Sequence, residues 1–243
     1  MITIRRSDTL GTAQSDGLAI RCHFAFADWQ DPARMHDGRL RAVNLGTLAP
    51  GGRYRLGPEQ GVDILTWLHS GTAVAHMDGF PREDVRAGGL HLAGTGRGCA
   101  TVDWKAGPQG ASFIQFWLLS DVEGTTPAQE IRAAFPRLED GGFRIIASGF
   151  PEDDPEEAET IADGAPVALS ACARLLHAAI PAGEGAAYRT DPDRDLYLLV
   201  VSGEVRVQDS LLHGGDAAAL TGLTEVTVIA DAPAVVLLAD VAA

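Results

Sequence analysis

The sequence is poor in lysine, in cysteine and in long apolar runs, and each shortage removes a class of function. Lys105 is the only lysine among nineteen basic residues, and thirty-three acidic residues bring the formal net charge to -14. Such a surface repels phosphate backbones, so direct nucleic-acid binding is not expected. The three cysteines, Cys22, Cys99 and Cys172, are widely spaced and form no Cys-x-x-Cys pair, which argues against both a disulfide framework and a zinc cluster. A reducing cytoplasm is the expected location. The opening stretch MITIRRSDTLGTAQSDG has no apolar core of the signal-peptide kind, and no run approaches eighteen apolar residues, so neither export nor a membrane partner is expected. Richness in Ala, Gly, Asp and Arg points to a GC-rich bacterial genome.

The chain does hold enough apolar material for real cores: 46% of its 243 residues are hydrophobic. Two segments repeat at an offset of roughly 132 residues. In the first, Tyr54-Arg55 precedes the apolar run Ile64 to Leu68, then Ser70-Gly71, Thr72 to His76 and Ala87-Gly88-Gly89. In the second, Tyr188-Arg189 precedes Leu196 to Val201, then Ser202-Gly203, Glu204 to Val207 and His213-Gly214-Gly215. The halves close on Ser120-Asp121-Val122 and Ala239-Asp240-Val241. Short β-branched or aromatic runs punctuated by Gly argue for antiparallel barrels and against βαβ units. The expected fold is therefore all-β, with two antiparallel barrels packed face to face: 1–125, a connector over 126–139, and 140–243. Within the connector, Thr126 as N-cap and Pro127 at the first helical position predict a helix over Ala128 to Phe135. Pro151 to Ala165 carries seven acidic residues and no basic one, and reads as a solvated linker.

Several motifs occur in an order that resembles the pirins, a family of two-cupin proteins that includes bacterial quercetin 2,3-dioxygenases and nuclear regulatory proteins. They are His23-Phe24-Ala25-Phe26-Ala27 with Asp31-Pro32, Val62-Asp63-Ile64-Leu65-Thr66-Trp67 with Gly71, Ala93-Gly94-Thr95-Gly96, and Thr126-Pro127. The resemblance implies a metal site in the N-terminal barrel, built on a His-Pro-His and on a His-x-Glu after the Gly-Thr-Gly. Here those positions hold Gly57-Pro58-Glu59 and Cys99-Ala100-Thr101. A glycine, a glutamate, a cysteine and a threonine make a poor first shell for Fe, Mn, Ni or Cu. Hence Gly57, Glu59, Cys99 and Thr101 are expected to mark a former metal site, with no metal, no cofactor and no catalytic residue, and with Asp63 and Arg97 lining the pocket.

Other chemistry at these residues is weaker. A nucleophilic Cys99 beside Glu59 would have its thiol pKa raised by the carboxylate, whereas catalysis needs it lowered. Gly94-Thr95-Gly96-Arg97-Gly98 is followed by a strand pattern, so it reads as a turn and not as a phosphate loop. His69, His76 and His91 read as packed or solvated histidines, and Trp67 and Trp117 as core. Two functions stand: a non-catalytic small-molecule-binding or regulatory protein, with a ligand in the N-terminal barrel or a protein partner on its surface, and a metal-dependent oxygenase of the quercetinase type.

Overall fold

A computed structural model describes residues 1–35, 38–135, 138, 142–153, 164 and 166–242. Each half is a nine-stranded sheet wrapped into a barrel. The first contains β2 (Gly11–Ser15), β3 (Leu18–Cys22), β4 (Leu40–Leu48), β5 (Arg53–Leu56), β6 (Val62–Met77), β7 (Glu83–Arg86), β8 (Leu90–Gly94), β9 (Val102–Leu119) and β10 (Ala128–Arg132). The second contains β1 (Ile2–Arg5), β11 (Arg144–Ser148), β12 (Val167–Ala168), β13 (Ala173–Ile180), β14 (Gly185–Arg189), β15 (Arg194–Val207), β16 (Ser210–His213), β17 (Ala217–Thr221) and β18 (Glu225–Ala242).

The strand orders superimpose the repeat. One runs β10-β8-β6-β9-β4-β3-β2, with β5 on β9 and β7 on β6; the other runs β1-β17-β15-β18-β13-β11-β12, with β14 on β18 and β16 on β15. The long strands β6 and β15 both break register at their Ser-Gly pair. Gly71 and Gly203 take φ of +78° and +86° there, and a Cβ on either would lie 2.2 Å from a facing carbonyl oxygen, that of Gly110 or of Pro233. The two Ser-Gly pairs are therefore a backbone requirement that the duplication retained.

Two elements depart from the expected boundaries. β1 pairs with β17, so the first strand of the chain completes the second barrel. The segment expected to be helical is the strand β10, whose register runs from Ala128 opposite Gly94 to Arg132 opposite Leu90. No α-helix occurs among the described residues. The reason is tertiary: β8 pairs with β6 on one side and would otherwise expose its other edge. Gln129 anchors the strand by accepting from the Met77 amide at 2.7 Å and donating to the Pro81 carbonyl at 2.8 Å. Most of the acidic stretch 151–165 lies outside the described residues. Of the remainder, Asp153 is not solvated, since it accepts from Arg174 Nε at 2.6 Å.

The described residues form three apolar clusters: one inside each barrel and one between them. Along β6, Ile64 and Leu68 point into the first barrel, while Leu65 and Trp67 point at the second. Burial on both faces explains the unbroken apolar run 62–68. Across the interface, Phe116, Leu118 and Trp67 meet Tyr197, Leu199 and Leu237. The expected face-to-face packing is what is seen.

Candidate functional site

β2 ends the first sheet, and β5 is attached to it only through β9, so the barrel has a seam between these two edges. A cleft of about 910 Å³ opens along it. β5 shapes one wall: Arg53 and Arg55 are exposed on one face, and Tyr54 between them is buried on the other, as strand alternation demands. The Tyr54 ring stacks on Trp104 and Phe113, with centroids 5.4 and 5.8 Å away. On the other side, Phe26 meets Trp117 edge to face at 5.2 Å. Arg41, Gln14, Asp28 and Glu59 add polar lining.

Of the four positions that the sequence pattern marks as a former metal site, only Glu59 lines this cleft. Glu59 and Cys99 pair as an antiparallel bridge, with the Glu59 amide donating to the Cys99 carbonyl at 3.1 Å and the Cys99 amide to the Glu59 carbonyl at 2.9 Å. Glu59 lines the cleft, and it also lines a smaller hollow of about 460 Å³ with Arg97 and Cys99. Burial raises the Glu59 carboxyl pKa, with the Arg41 charge working against the rise. Burial also raises the Cys99 thiol pKa, away from the thiolate that a nucleophile must be. Gly57 is more than a missing side chain. Its φ is +118°, and a Cβ there would lie 2.4 Å from the Ala100 carbonyl oxygen. Thr101 contributes a neutral hydroxyl. This donor set does not fit a centre for Fe, Mn, Ni or Cu. Among the described residues, no group of three His, Cys, Asp or Glu is arranged to hold a metal ion.

The other sequence candidates fall elsewhere. Asp63, expected in the pocket, is a clamp between the barrels. Its carboxylate accepts from the Ser170 amide at 2.7 Å, the Ser170 hydroxyl at 2.9 Å and the Ala171 amide at 3.2 Å. Strand direction explains the mistake: Asp63 shares a face with Leu65 and Trp67, which look away from the first barrel's interior. Arg97 is exposed beside Cys99, on a turn closed by the Gly98 amide donating to the Thr95 carbonyl at 2.8 Å. His76 pairs with Asp103 at 3.3 Å, His91 is buried against Trp104, and His69 lies against Trp67. Trp67 is core, whereas Trp117 is both core and cleft wall. Reading along the sequence missed Arg41, Arg53, Tyr54 and Phe26. The alternation Arg53-Tyr54-Arg55 was the signal available, since it sets two cations on one face of a strand with an aromatic behind them.

Residues 160–241 match the family model described as the quercetinase C-terminal cupin domain. A pirin-like protein of Caulobacter vibrioides is 30% identical, with the match covering 100% of both chains. A quercetin 2,3-dioxygenase of Escherichia coli K12 is 24% identical across 99% of this chain and 98% of its own. The structure of the bacterial pirin YhhW from Escherichia coli, solved in complex with nickel(II), superposes with a TM-score of 0.85 at 22% identity, covering 100% of this chain and 99% of that one. That last likeness is one of fold.

Proposed function

Given that the chain belongs to the pirin family, we propose that it is a non-catalytic member, a small-molecule-binding or regulatory protein whose ligand sits in the mouth of the first barrel. The observation that carries this reading is the cleft of about 910 Å³ at the barrel seam, walled by Tyr54, Phe26 and Trp117. Its volume falls in the range of small-molecule sites, and aromatic walls with a few polar groups are their usual lining. At the positions that the resemblance aligns with the pirin metal ligands, the chain has Gly57, Glu59, Cys99 and Thr101. Three free cysteines and the acidic surface fit the cytoplasm, with a protein partner as the second route to a regulatory role.

The dioxygenase relatives support the other reading at family level. An oxygenase of that type relies on a bound metal to engage dioxygen. The residues at those four positions argue against that, because they bring one carboxylate, one thiol, one neutral hydroxyl and no imidazole. Oxygen uptake with quercetin, measured on protein supplied in turn with Fe, Mn, Ni and Cu, tests the proposal. The expected outcome is no flavonol-dependent uptake with any of the four. Uptake that a chelator abolishes would overturn it.

A further inference from the structure

Within the cleft the charges are unusual for this molecule. The whole chain carries thirty-three acidic against nineteen basic residues, yet the cleft is lined by Arg41, Arg53 and Arg55 against only Asp28 and Glu59. Most other arginines are engaged: Arg6 with Asp216, Arg174 with Asp153, Arg194 with Asp240, Arg206 with Asp231. The side chains of Arg41, Arg53 and Arg55 make no hydrogen bond or ion pair with the described residues, although the Arg41 charge acts on Glu59. Three guanidinium groups without a hydrogen-bond or ion-pair partner among the described residues, on two strands lining one cleft, are a pattern suited to an anion; a planar fork suits a carboxylate or a phosphate, and the aromatic walls beside it favour the carboxylate of an aromatic acid.

A second observation lies beneath them. Tyr54 is 5% exposed, and its hydroxyl has no hydrogen-bond partner in the protein. Asn44 on β4 is fully buried with both amide atoms unpartnered, directly opposite Cys22 on one side and Gln115 on the other. Cys22 is also within electrostatic reach of the Tyr54 hydroxyl. Buried polar atoms left without partners call for water or a ligand group. Tyr54 lines the cleft together with the three arginines, whereas Asn44 does not.

We propose that the cleft takes a small hydroxylated aromatic carboxylate, its acid group held by Arg41, Arg53 and Arg55, its ring against Phe26 and Trp117, and its hydroxyl, directly or through ordered water, toward the Tyr54 hydroxyl. This rests on the reading of the cleft as a small-molecule site and names the ligand class. Neither metal nor reaction is involved.

Calorimetric titration of the full chain with 3-hydroxy-2-naphthoate and with 2-naphthol tests the class, since the second probe keeps the bicycle and the hydroxyl and lacks the acid. The carboxylate is expected to bind at least tenfold tighter, with affinity falling as salt is added. Arg53→Gln and Arg55→Gln are each expected to weaken it by roughly tenfold, while Arg86→Gln, an exposed arginine outside the cleft, leaves it unchanged. Equal binding of the two probes, blocked by Gln14→Trp at the cleft edge, would overturn the carboxylate class and leave a small-molecule site standing. Binding indifferent to both arginine substitutions, or no binding of either probe, would also overturn it. The oxygen-uptake experiment judges the functional reading separately in each case.

Discussion

Gly57 lies so close to Ala100 that a Cβ on the glycine would meet the carbonyl oxygen at 2.4 Å. With φ at +118° as well, the backbone as it stands leaves no room for a histidine at this position. Reinstalling the family ligands as Gly57→His, Glu59→His, Cys99→His and Thr101→Glu is therefore expected to lower stability without creating a divalent-ion site. Glu59→His with Cys99→His alone should fold and bind zinc only weakly, as two imidazoles make half a shell. Thermal melts with and without Zn²⁺ check this, and a tight, metal-stabilised four-site variant would show that the backbone there can open.

Asp63 joins the two barrels through three donors at 170–171. Asp63→Ala leaves the Ser170 and Ala171 amides unsatisfied in a buried junction, with an expected loss of roughly 2–4 kcal/mol in urea unfolding. Asp63→Asn, which keeps an accepting oxygen, should cost less. The neighbouring contact, Asp121 paired with Arg39 and accepting from the Cys172 amide, should hold the barrels together in either variant.

Acid should loosen the molecule well above the range of ordinary carboxylates. His23 is pushed down to about 3, first by burial and then by the charges of Arg5, Arg21 and Arg34. His91 is pushed down to about 4 by burial. A histidine whose folded pKa lies below its unfolded value of about 6.5 binds its proton more readily in the unfolded chain. Stability from both groups is complete above about pH 6.5 and drains as pH falls toward 4, by about 2 kcal/mol per histidine at pH 5. Asp153 and Asp216, held low by hydrogen bonds and arginine partners that outweigh burial, add their loss as pH falls through the ordinary carboxylate range and below it. His23 Nδ1 lies 2.9 Å from the Tyr197 hydroxyl across the interface, so His23→Gln should flatten the pH dependence between 6.5 and 5. A Tm that is level from pH 7 to pH 4.5 would contradict this.

The duplication makes its own prediction. Gly71→Ala and Gly203→Ala each combine a positive φ with a Cβ placed 2.2 Å from a backbone oxygen. Each should cost more than strain alone, roughly 2–4 kcal/mol. Gly79→Ala, at φ +85° with nothing within 4 Å of its Cβ, should cost about 1 kcal/mol. Equilibrium unfolding of the three variants compares them directly.

Those two glycines also show why the fold was legible. A Ser-Gly break in a long apolar strand, a Gly-Gly turn and a terminal Asp-Val pair are local features, and each recurs in both halves. What was not legible depended on distant partners. Thr126-Pro127 is a sound helix start in isolation, and only the bare edge of β8 makes 128–132 a strand. Strand β1 reads as the beginning of the first barrel until β17 claims it. Asp63 looked like a pocket residue because Ser170 lies more than a hundred positions away. The cleft required β2, β3 and β5 to come together, which no motif announced; only Arg53-Tyr54-Arg55 carried part of it.

Metal content tests the central claim most directly. The full chain, expressed in medium supplemented with Fe, Mn, Ni and Cu and purified without chelator, should carry every one of these metals well below stoichiometry by mass spectrometry. Anomalous diffraction should show no peak among Gly57, Glu59, Cys99 and Thr101. Stoichiometric metal with a peak bounded by those residues would contradict the account.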